Sequence, residues 1–435
     1  MAEKSQIFDV FKKSPDKERV LILGGGFAGI ETALRLDTRR FEVLLLDRHN
    51  YFTFQPLLYQ VATGGLEPDS IAYPLRQIVR RNRGVLFRVA EIESLDPIAR
   101  QVVTSIGTLP YDHAVIATGS MTNFFGDQQL QQHALSLKQV RDALDMRSFI
   151  LQNFEEALLE KDPAQRASRM NFVIVGAGPT GVEIAGALAE LKRHVLPHDY
   201  PELDFADMHI TLVESSDHVL NGMSDKTYAN ARAQLEALGV QLRLGVRLSS
   251  YDGMVAKLND GTEIRTSALL WTAGVKGAVI AGIPEQGLER GNRIRVDAFN
   301  RVAGADGLYA IGDVAAMTEG GSAPHPMLGP VAMQQGKLLA KNLNRPKGQA
   351  WQPFVYKDRG TMATIGRSKA VAELAGGIRL KGFPAWMAWL FIHLVLLVGF
   401  RNRVVVFFNW IWNYFSYDRA IRLIIRPYKG RTSNS

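Results

Sequence analysis

RVLILGGGFAGIETALRLDTRRFEVLLLD, residues Arg19–Asp47, contains the pattern from which the architecture of this chain can be inferred. Val20–Leu23 is a short apolar run, as expected of a buried parallel strand. A G-x-G-x-x-G motif follows it, and its glycines are Gly24, Gly26 and Gly29. After a predicted helix, a second apolar run over Glu42–Leu46 ends at Asp47. A strand, a glycine-rich turn, a helix and a terminal acid in this order predict a dinucleotide-binding unit.

Each part of this unit has a chemical role. The glycines permit a tight turn, close approach of the backbone to a pyrophosphate, and close packing of helix on strand. The start of the helix supplies N–H groups to the phosphates, and Asp47, eighteen residues past Gly29, is placed to accept hydrogen bonds from a ribose diol. The alternative is an ordinary strand–turn–helix whose glycines serve packing alone. The expected cofactor-binding residues of this unit are Gly24, Gly26, Phe27, Ala28, Gly29, Asp47 and Arg48.

The composition narrows the classes of protein. A chain of 435 residues suggests two or three domains. The absence of cysteine removes disulfides, thiolate metal sites, cysteine-ligated iron–sulfur clusters and cysteine nucleophiles. The net charge of +8 favours an anionic surface as a partner, and the first 18 residues lack a secretory apolar region, which indicates a cytoplasmic catalytic body. We expect neither a metal site nor a nucleic-acid partner.

The opening pattern returns in Asn171–Glu190, NFVIVGAGPTGVEIAGALAE. The next predicted strand, Ile210–Val213, ends at Glu214, thirty-three residues past the last glycine of the motif, whereas about 20 is usual. An insert over His194–Met208 explains the excess, and we expect it to be a surface excursion. The expected nucleotide-binding residues of this second unit are Gly176, Gly178, Pro179, Thr180, Gly181, Glu214, Ala273 and Gly274.

Two dinucleotide units in one chain, the second inserted within the first, are far more specific than either alone. The chain leaves the first unit after an apolar strand that ends in Ala-Thr-Gly at 117–119, and LLWTAG at 269–274 closes the second unit in a similar way. It returns through GLYAIGDV at 307–314, and a helix that opens at Pro330 follows. The further cofactor-binding residues expected from these segments are Ala117, Thr118, Gly119, Gly312, Asp313, Val331 and Ala332.

The C-terminal part of the chain has a different composition. Phe383–Phe400 is nearly continuous apolar sequence, long enough that it would just span a bilayer. Val404–Ile425 carries a polar stripe and clustered aromatic residues, as expected of helices that lie in a membrane surface. We expect in-plane attachment to a membrane lipid surface; a true span and a dry dimer interface are the alternatives.

Three segments carry a family resemblance: Gly-Ala-Gly-Pro-Thr-Gly-Val-Glu at 176–183, Leu-Leu-Trp-Thr-Ala-Gly at 269–274 and Ala-Met-Gln-Gln-Gly at 332–336. With the two nucleotide units they resemble the type II NADH:quinone oxidoreductases, or alternative NADH dehydrogenases, which are two-dinucleotide-binding-domain flavoproteins. Many members carry an Ala-Gln-x-Ala-x-Gln pattern near the quinone. Here the first glutamine position is Pro330, while Gln334 matches the last. Proline has no backbone N–H, so it offers no substitute donor.

The resemblance implies a respiratory-chain enzyme that transfers electrons from NADH through non-covalent FAD to ubiquinone or menaquinone without proton pumping. It implies a homodimer at the cytoplasmic face of a bacterial inner membrane. The expected fold class is α/β, with two Rossmann-like dinucleotide-binding domains, the second inserted in the first, and a C-terminal membrane-anchoring helical segment. The expected boundaries are 1–18 for a mobile leader, 19–120 and 275–375 for the FAD domain, 121–274 for the NADH domain, and 376–435 for membrane attachment.

Three residues are candidates for the chemistry with quinone. Glu183 would orient nicotinamide or take part in a proton route, and Gln334 would donate a hydrogen bond to a quinone carbonyl. The plain alternative for Glu183 is a helix-start carboxylate that favours the helix dipole. Lys381 is a weaker candidate for the quinone site, with a membrane-surface charge as its alternative. Two other function classes stay open here: a soluble NAD(P)H-dependent flavin reductase that serves a ferredoxin-like protein, and a non-enzymatic redox sensor.

Overall fold

The computed structural model describes residues 10–318, 323–416 and 421–430. The chain divides into two compact units. Unit 1 comprises 1–52, 73–121 and 275–358, and unit 2 comprises 53–72, 122–274 and 359–435. The segment 122–274 of unit 2 is thus inserted between two segments of unit 1, as the sequence predicts, but unit 2 also includes 53–72 and 359–435. The division and the predicted limits differ at two places, because 53–72 groups with unit 2 and the last segment begins at 359.

The described residues form the following regular elements. The helices are α1 (Phe27–Ala33), α2 (Leu58–Ala62), α3 (Pro68–Ile71), α4 (Leu75–Val79), α5 (Gln128–His133), α6 (Val140–Leu159), α7 (Pro163–Met170), α8 (Pro179–His194), α9 (Leu196–Asp199), α10 (Asp225–Ala237), α11 (Gly329–Leu343), α12 (Gly382–Leu396) and α13 (Phe400–Ser416). The strands are β1 (Glu18–Leu23), β2 (Phe41–Asp47), β3 (Tyr51–Thr53), β4 (Ala72–Pro74), β5 (Val85–Val89), β6 (Ile92–Asp96), β7 (Gln101–Thr104), β8 (Gly107–Pro110), β9 (His113–Ile116), β10 (Ser120–Thr122), β11 (Leu135–Ser136), β12 (Phe172–Val175), β13 (Ile210–Glu214), β14 (Val240–Leu244), β15 (Leu248–Tyr251), β16 (Val255–Leu258), β17 (Glu263–Arg265), β18 (Ala268–Trp271), β19 (Val275–Gly277), β20 (Leu288–Glu289), β21 (Arg293–Val296), β22 (Leu308–Ala310), β23 (Ala315–Met317), β24 (Gly360–Gly366), β25 (Lys369–Leu374) and β26 (Ile378–Lys381).

Unit 1 is built on a parallel sheet with the strand order β22-β9-β1-β2-β5. Strand β1 lies at its centre and pairs with β2 and β9. Val20–Leu23 is completely buried, because a central parallel strand is covered on both faces and therefore has a continuous apolar sequence. Helix α11 packs closely on α1: a Cβ at Gly336 would lie 2.4 Å from the carbonyl oxygen of Ala28.

Unit 2 repeats this plan with the parallel order β11-β18-β12-β13-β14. Its second strand ends at Glu214, as predicted. The predicted surface excursion over 194–208 is confirmed only in part, because eight of its fifteen residues are exposed while others are buried apolar side chains. Leu196 and Met208 are fully buried there, and the Tyr200 hydroxyl donates to Glu155. The insert therefore supplies part of the unit's core, since its regularly placed apolar side chains have a hydrophobic surface to cover.

The expected mobile leader is wrong for residues 10–17. Val10 is buried in the core of unit 1, and the buried Arg19 guanidinium donates to its carbonyl oxygen while forming a bidentate pair with Glu42. An arginine that is 1% exposed needs hydrogen-bond partners, and the carbonyl oxygens of Val10 and Lys12 provide those that Glu42 does not. Residues 1–9 of the predicted leader lie outside the described residues.

The C-terminal segment of unit 2 begins with the antiparallel sheet β24-β25-β26, which packs on α8. A Cβ at Gly186 would lie 1.7 Å from the carbonyl oxygen of Ile365, so only glycine allows this approach. Helices α12 and α13 follow. Asn402, at the start of α13, is buried and donates to the carbonyl oxygens of Asp69 and Ala72. Within residues 10–318, 323–416 and 421–430, no helix is long and apolar enough to cross a membrane.

Candidate active site

The first glycine-rich turn has a backbone that other residues cannot adopt. Gly24 has φ of +114°, and a Cβ there would lie 2.4 Å from the carbonyl oxygen of Ala117. A Cβ at Gly29 would lie 1.9 Å from the carbonyl oxygen of Gly24, which explains the close packing of α1 on β1. A Cβ at Gly26 meets no described atom within 4 Å. The turn is therefore tight at two glycines and open at the third, where the pyrophosphate is expected.

Asp47 closes the first unit by binding its glycine loop. One carboxylate oxygen accepts the Gly25 N–H at 2.6 Å and the other accepts the His49 N–H at 2.7 Å. A carboxylate has about four acceptor positions, so both oxygens keep capacity for a ribose diol. His49 Nε2 is buried and has no hydrogen-bond partner among the described residues. Arg48, in contrast, is exposed and lies 3.9 Å from Glu91.

The return segment brings three predicted residues together. A Cβ at Gly312 would lie 3.3 Å from the Cβ atoms of both Ala28 and Ala332. Gly312 is further held by Gln335, whose Oε1 accepts the Gly312 N–H at 2.7 Å. Val331 is buried beside Ala332. Sequence reasoning missed Gln335, although it is adjacent to the predicted Gln334.

The side chains of two further predicted residues of unit 1, Thr118 and Asp313, form hydrogen bonds. The Thr118 hydroxyl donates to the carbonyl oxygen of Ala278 at 2.6 Å. The Ser120 hydroxyl donates to the Asp313 carboxylate at 2.5 Å. Ser120 directly follows Gly119, which has φ of +73°. Ser120 was also missed by sequence reasoning, because a serine after a strand carries no distinctive signal. Its bond orients the Asp313 carboxylate.

The second glycine-rich turn has close approaches at the same two glycines of the motif as the first. A Cβ at Gly181 would lie 1.9 Å from the carbonyl oxygen of Gly176, and a Cβ at Gly176 would lie 2.7 Å from the Cα of Ala273. Gly178 is open, as Gly26 is in the first unit. The exposed Pro179 and Thr180 begin α8.

Glu214 has the same relation to this turn as Asp47 has to the first. One carboxylate oxygen accepts the Ala177 N–H at 2.7 Å, and the other accepts the Ser216 N–H at 3.0 Å. Gly274 lies against the Phe125 ring, which is 3.0 Å from a Cβ built on it. The structure therefore assembles the predicted nucleotide residues of unit 2 at one end of its parallel sheet.

Glu183 lies two residues after the last glycine of the second motif, on the buried face of α8. Its residue exposure is 8%. Burial raises the pKa of its carboxyl well above the usual value, and interactions with the backbone of Thr364 and the side chain of Trp389 oppose that rise only in part. The indole nitrogen of Trp389 is buried, and it has no acceptor within hydrogen-bond geometry among the described residues. Burial therefore favours the protonated form of the Glu183 carboxyl over its carboxylate.

A cavity of about 120 Å³ in unit 2 borders Glu183. Its walls come from segment 53–72, from α8 and from the C-terminal part of the chain. Aromatic rings form much of one side, with Trp389 stacked on His393 at 4.0 Å and Trp410 donating to Gln60 at 2.8 Å. Other polar side chains that line it are Thr63, Glu190, His194, Arg367 and Asn413.

The remaining two candidates are placed differently. Gln334, in unit 1, forms a pair of hydrogen bonds with the backbone of Lys357, at 2.9 and 3.0 Å. Its amide nitrogen has a second hydrogen, so it can also donate to a ligand. Lys381 is exposed and lies at the junction of β26 and α12, outside the set of residues that line the cavity at Glu183.

The fold and the two nucleotide sites define a class, and comparisons with known proteins identify it. The family model for pyridine nucleotide-disulphide oxidoreductases matches residues 18–336, and the model for the NDH2 C-terminal domain matches 359–417. The chain has the architecture of a two-dinucleotide-domain oxidoreductase, extended by the C-terminal domain that the second model describes.

Individual relatives make this assignment more specific. The chain is 34% identical to the type II NADH:quinone oxidoreductase Ndh of Mycobacterium tuberculosis, over 93% of this chain and 90% of that protein. It is 31% identical to the internal alternative NAD(P)H-ubiquinone oxidoreductase A1 of Arabidopsis thaliana, over 92% and 84%. The solved structure of NDH2 from Plasmodium falciparum in complex with NADH has the same fold, with a TM-score of 0.86, 20% identity, and coverage of 94% of this chain and all of that one. The chain belongs to the type II NADH:quinone oxidoreductases.

Proposed function

We propose that this protein oxidises NADH and reduces a membrane quinone through non-covalently bound FAD, without pumping protons. The observation that carries the proposal is the pair of complete nucleotide-binding turns, each closed by a carboxylate that keeps acceptor capacity. FAD fits the first turn, where Gly26 is open and His49 Nε2 is buried without a partner among the described residues. Bound FAD supplies the two-electron carrier between NADH and quinone.

The residues of the chain then have distinct tasks. In unit 1, Asp47 would hold the ribose of FAD, and Asp313, oriented by its hydrogen bond from Ser120, would hold the ribityl chain or the pyrophosphate. In unit 2, Glu214 binds the ribose of NADH and repels a 2′-phosphate. Hydride transfer depends on positioning more than on a side-chain acid. The overall reaction consumes one proton, since NADH + H⁺ + Q gives NAD⁺ + QH₂, and Glu183 is the acid that we propose to donate it. For Gln334 we keep the role expected from the family resemblance, that of a hydrogen-bond donor to a quinone carbonyl.

The decisive experiment follows the yellow chromophore of the purified holoenzyme. NADH should bleach the flavin absorbance, and a quinone added without oxygen should restore it. Acid precipitation should release the colour into the supernatant because the FAD is non-covalent; colour retained by the precipitate would contradict that part of the proposal. A flavin that NADH bleaches but only a ferredoxin reoxidises would favour the flavin reductase instead.

The attachment of the enzyme to a membrane is proposed on the exposed apolar faces of α12 and α13. Phe383, Met387, Phe391 and Val395 are spaced four residues apart on α12 and are 46–68% exposed. The exposed apolar side chains of α13 are Phe400, Val404, Phe407, Phe408, Ile411, Trp412 and Phe415. Helix α12 has 15 residues, short of the roughly 20 needed to cross a bilayer, so we place both helices in the membrane surface.

Point substitutions test this attachment more cleanly than truncation. Deleting the chain from Phe383 onward would also remove Trp389 and Trp410, which line the cavity at Glu183. The double variant Phe391→Glu/Phe408→Glu should bind vesicles of phosphatidylcholine and phosphatidylglycerol at least tenfold more weakly, because burying each phenylalanine contributes about 1.5–3 kcal/mol. A matched control is Ile98→Glu/Leu159→Glu, at side chains that are 97% and 82% exposed.

High salt should not release the parent enzyme from these vesicles, whereas detergent should, because apolar burial persists when salt screens the charges. Equal vesicle binding by the double variant and its control would contradict the assignment of this face. The homodimer and the cytoplasmic side of a bacterial inner membrane belong to the same proposal. Sedimentation of the detergent-solubilised holoenzyme measures the first, and protease access in oriented membrane vesicles measures the second.

A further inference from the structure

The cavity beside Glu183 extends along helix α8 toward residues that are open to solvent. Glu183, Glu190 and His194 all line it. They are separated by seven and four residues, the spacing that places side chains on one face of a helix. Glu183 is buried, whereas Glu190 and His194 are partly exposed. The three titratable groups therefore form a row from the interior to the surface, about 16 Å long at 1.5 Å per residue.

The space between these groups suits water. The cavity volume of about 120 Å³ is several times the roughly 30 Å³ that one water molecule occupies in the liquid. Waters in a cavity need polar partners, and Gln60, Thr63 and Asn413 line this one together with the titratable residues. The cavity can therefore hold a short chain of hydrogen-bonded water between Glu183 and the outer pair.

The other ionisable side chains that line the cavity are Arg367, Tyr59 and Tyr414. Arg367 lines it from the C-terminal sheet, with its backbone N–H bound to Glu190 and its guanidinium 4.2 Å from the centre of the Tyr414 ring. The phenols of Tyr59 and Tyr414 complete the set, and Tyr59 Oη accepts from Gln60 at 2.9 Å. Glu190 is thus held in position by the backbone N–H of Arg367, in the turn that follows β24.

We propose that the cavity lined by Glu190 and His194 is the path by which Glu183 regains its proton from solvent during quinone reduction. The inference rests on the proposed function, in which the Glu183 O–H gives its proton to a quinone oxygen while the electron pair comes from NADH by way of FAD. The Glu183 carboxylate then takes one proton from water in the cavity, and that water is reprotonated by His194 or Glu190, which exchange with solvent. One proton enters for each NADH oxidised.

The path predicts a specific kinetic signature. The double variant Glu190→Gln/His194→Gln should lower the ratio of quinone turnover to ferricyanide turnover by about tenfold, a part of the 10²–10⁴ that general acid–base catalysis provides. Ferricyanide accepts electrons without protons, so it reports the NADH half of the reaction. The matched control, Arg193→Gln, changes a charge at an exposed position of the same helix outside the cavity, and its ratio should equal that of the parent.

Two further measurements separate proton transfer from structure. Added imidazole should restore quinone turnover in His194→Ala, and the solvent deuterium isotope effect of the double variant should exceed that of the parent. Ala187→Leu, which adds side-chain volume at the cavity wall without changing an ionisable group, should lower the same ratio. Flavin content and thermal melting confirm that each variant is folded.

The outcomes distinguish this inference from the proposed function. If Glu183→Gln lowers the ratio but the double variant, His194→Ala and Ala187→Leu all match the parent, the proton path is wrong while the role of Glu183 stands. If Glu183→Gln also leaves the ratio unchanged, both are wrong, because the path then has no end point. A lowered ratio in all four, with imidazole rescue at position 194, supports the path.

Discussion

The two nucleotide units each have a glutamate at the same position of the same motif, but the two glutamates differ in their charged neighbours. Glu31 follows G-G-G-F-A-G-I and Glu183 follows G-A-G-P-T-G-V. Burial raises the pKa of both carboxyls, but Arg35 and Lys337 counteract the rise at Glu31, and Arg35 forms an ion pair with it. At Glu183 burial raises the pKa well above its usual value, and no cation among the described residues counteracts that rise.

The difference comes from one helical turn. Arg35 lies four residues after Glu31, where it can reach the carboxylate. The corresponding residue after Glu183 is Ala187, which lines the cavity instead. A duplicated nucleotide-binding turn thus holds one glutamate as an ion-paired, structural group and the other as an isolated acid. The neighbours of the motif, more than the motif, decide which glutamate is suited to proton transfer.

The largest expected effect is on quinone reduction by Glu183→Gln. Turnover with quinone should fall about 100-fold, the lower end of the contribution of a general acid, with a much smaller change in flavin content. Steady-state kinetics with quinone and with ferricyanide measure it, and Glu31→Gln is the matched control at the equivalent position. Equal quinone turnover in the two variants would mean that the units do not differ in the way proposed.

The second expected effect concerns the acids that close the two turns. Glu214→Ala should reduce the preference for NADH over NADPH, in kcat/KM, by about tenfold or more, since a hydrogen bond to a charged group contributes about 1.5–3 kcal/mol and repulsion of the 2′-phosphate is lost. Asp47→Ala should instead reduce FAD occupancy and leave the NADH/NADPH ratio of the flavin-loaded fraction unchanged. A changed nucleotide preference in Asp47→Ala, with none in Glu214→Ala, would reverse the assignment of the two units.

The third expected effect is a pH dependence of stability. Because the pKa of Glu183 is raised on folding, its contribution to stability is fully present below the unfolded pKa, near 4.5, and is lost as the pH rises through the folded pKa. Glu183→Gln should therefore gain thermal stability relative to the parent as the pH increases, by at most about 1.4 kcal/mol per pH unit. Melting curves between pH 5 and pH 9 measure it; a constant difference would contradict the raised pKa.

The smallest expected effect is at the ion-paired glutamate. Arg35→Ala should lower stability at pH 7 by about 0.5 kcal/mol or less, because Arg35 is 39% exposed and surface pairs contribute little. Its quinone turnover should match that of the parent. Denaturant unfolding of the holoenzyme checks the first figure, and a loss of several kcal/mol would show that Glu31 depends on this partner far more than its exposure indicates.

The nucleotide units could be predicted from the sequence because their requirements are local. Gly24 and Gly176 need positive φ, and Gly29 and Gly181 need close approach to a carbonyl within the same turn. Glu214 could be placed despite its unusual spacing because the strand that carries it, β13, is itself apolar. The confirmed fold class and family membership follow from such patterns.

The environment of Glu183 was not predictable in this way. The groups that set its protonation, Thr364 and Trp389, come from a segment almost 200 residues further along the chain. Similarly, a rotation of about 100° along α11 decides that Gln335 binds Gly312 while Gln334 binds Lys357. Adjacent glutamines in a helix look alike until the packing of that helix is known.

The contact of Gly186 with Ile365 has a consequence for exchanging parts between relatives. Helix α8, which begins at the second glycine-rich turn, is also the surface on which the C-terminal sheet packs, and the two backbones touch where a methyl group would not fit. A chimera that takes residues from 359 onward from another family member inherits a strand shaped for that member's helix. Position 186 and strand β24 should therefore be exchanged together, because they are far apart in the sequence but in contact in the structure.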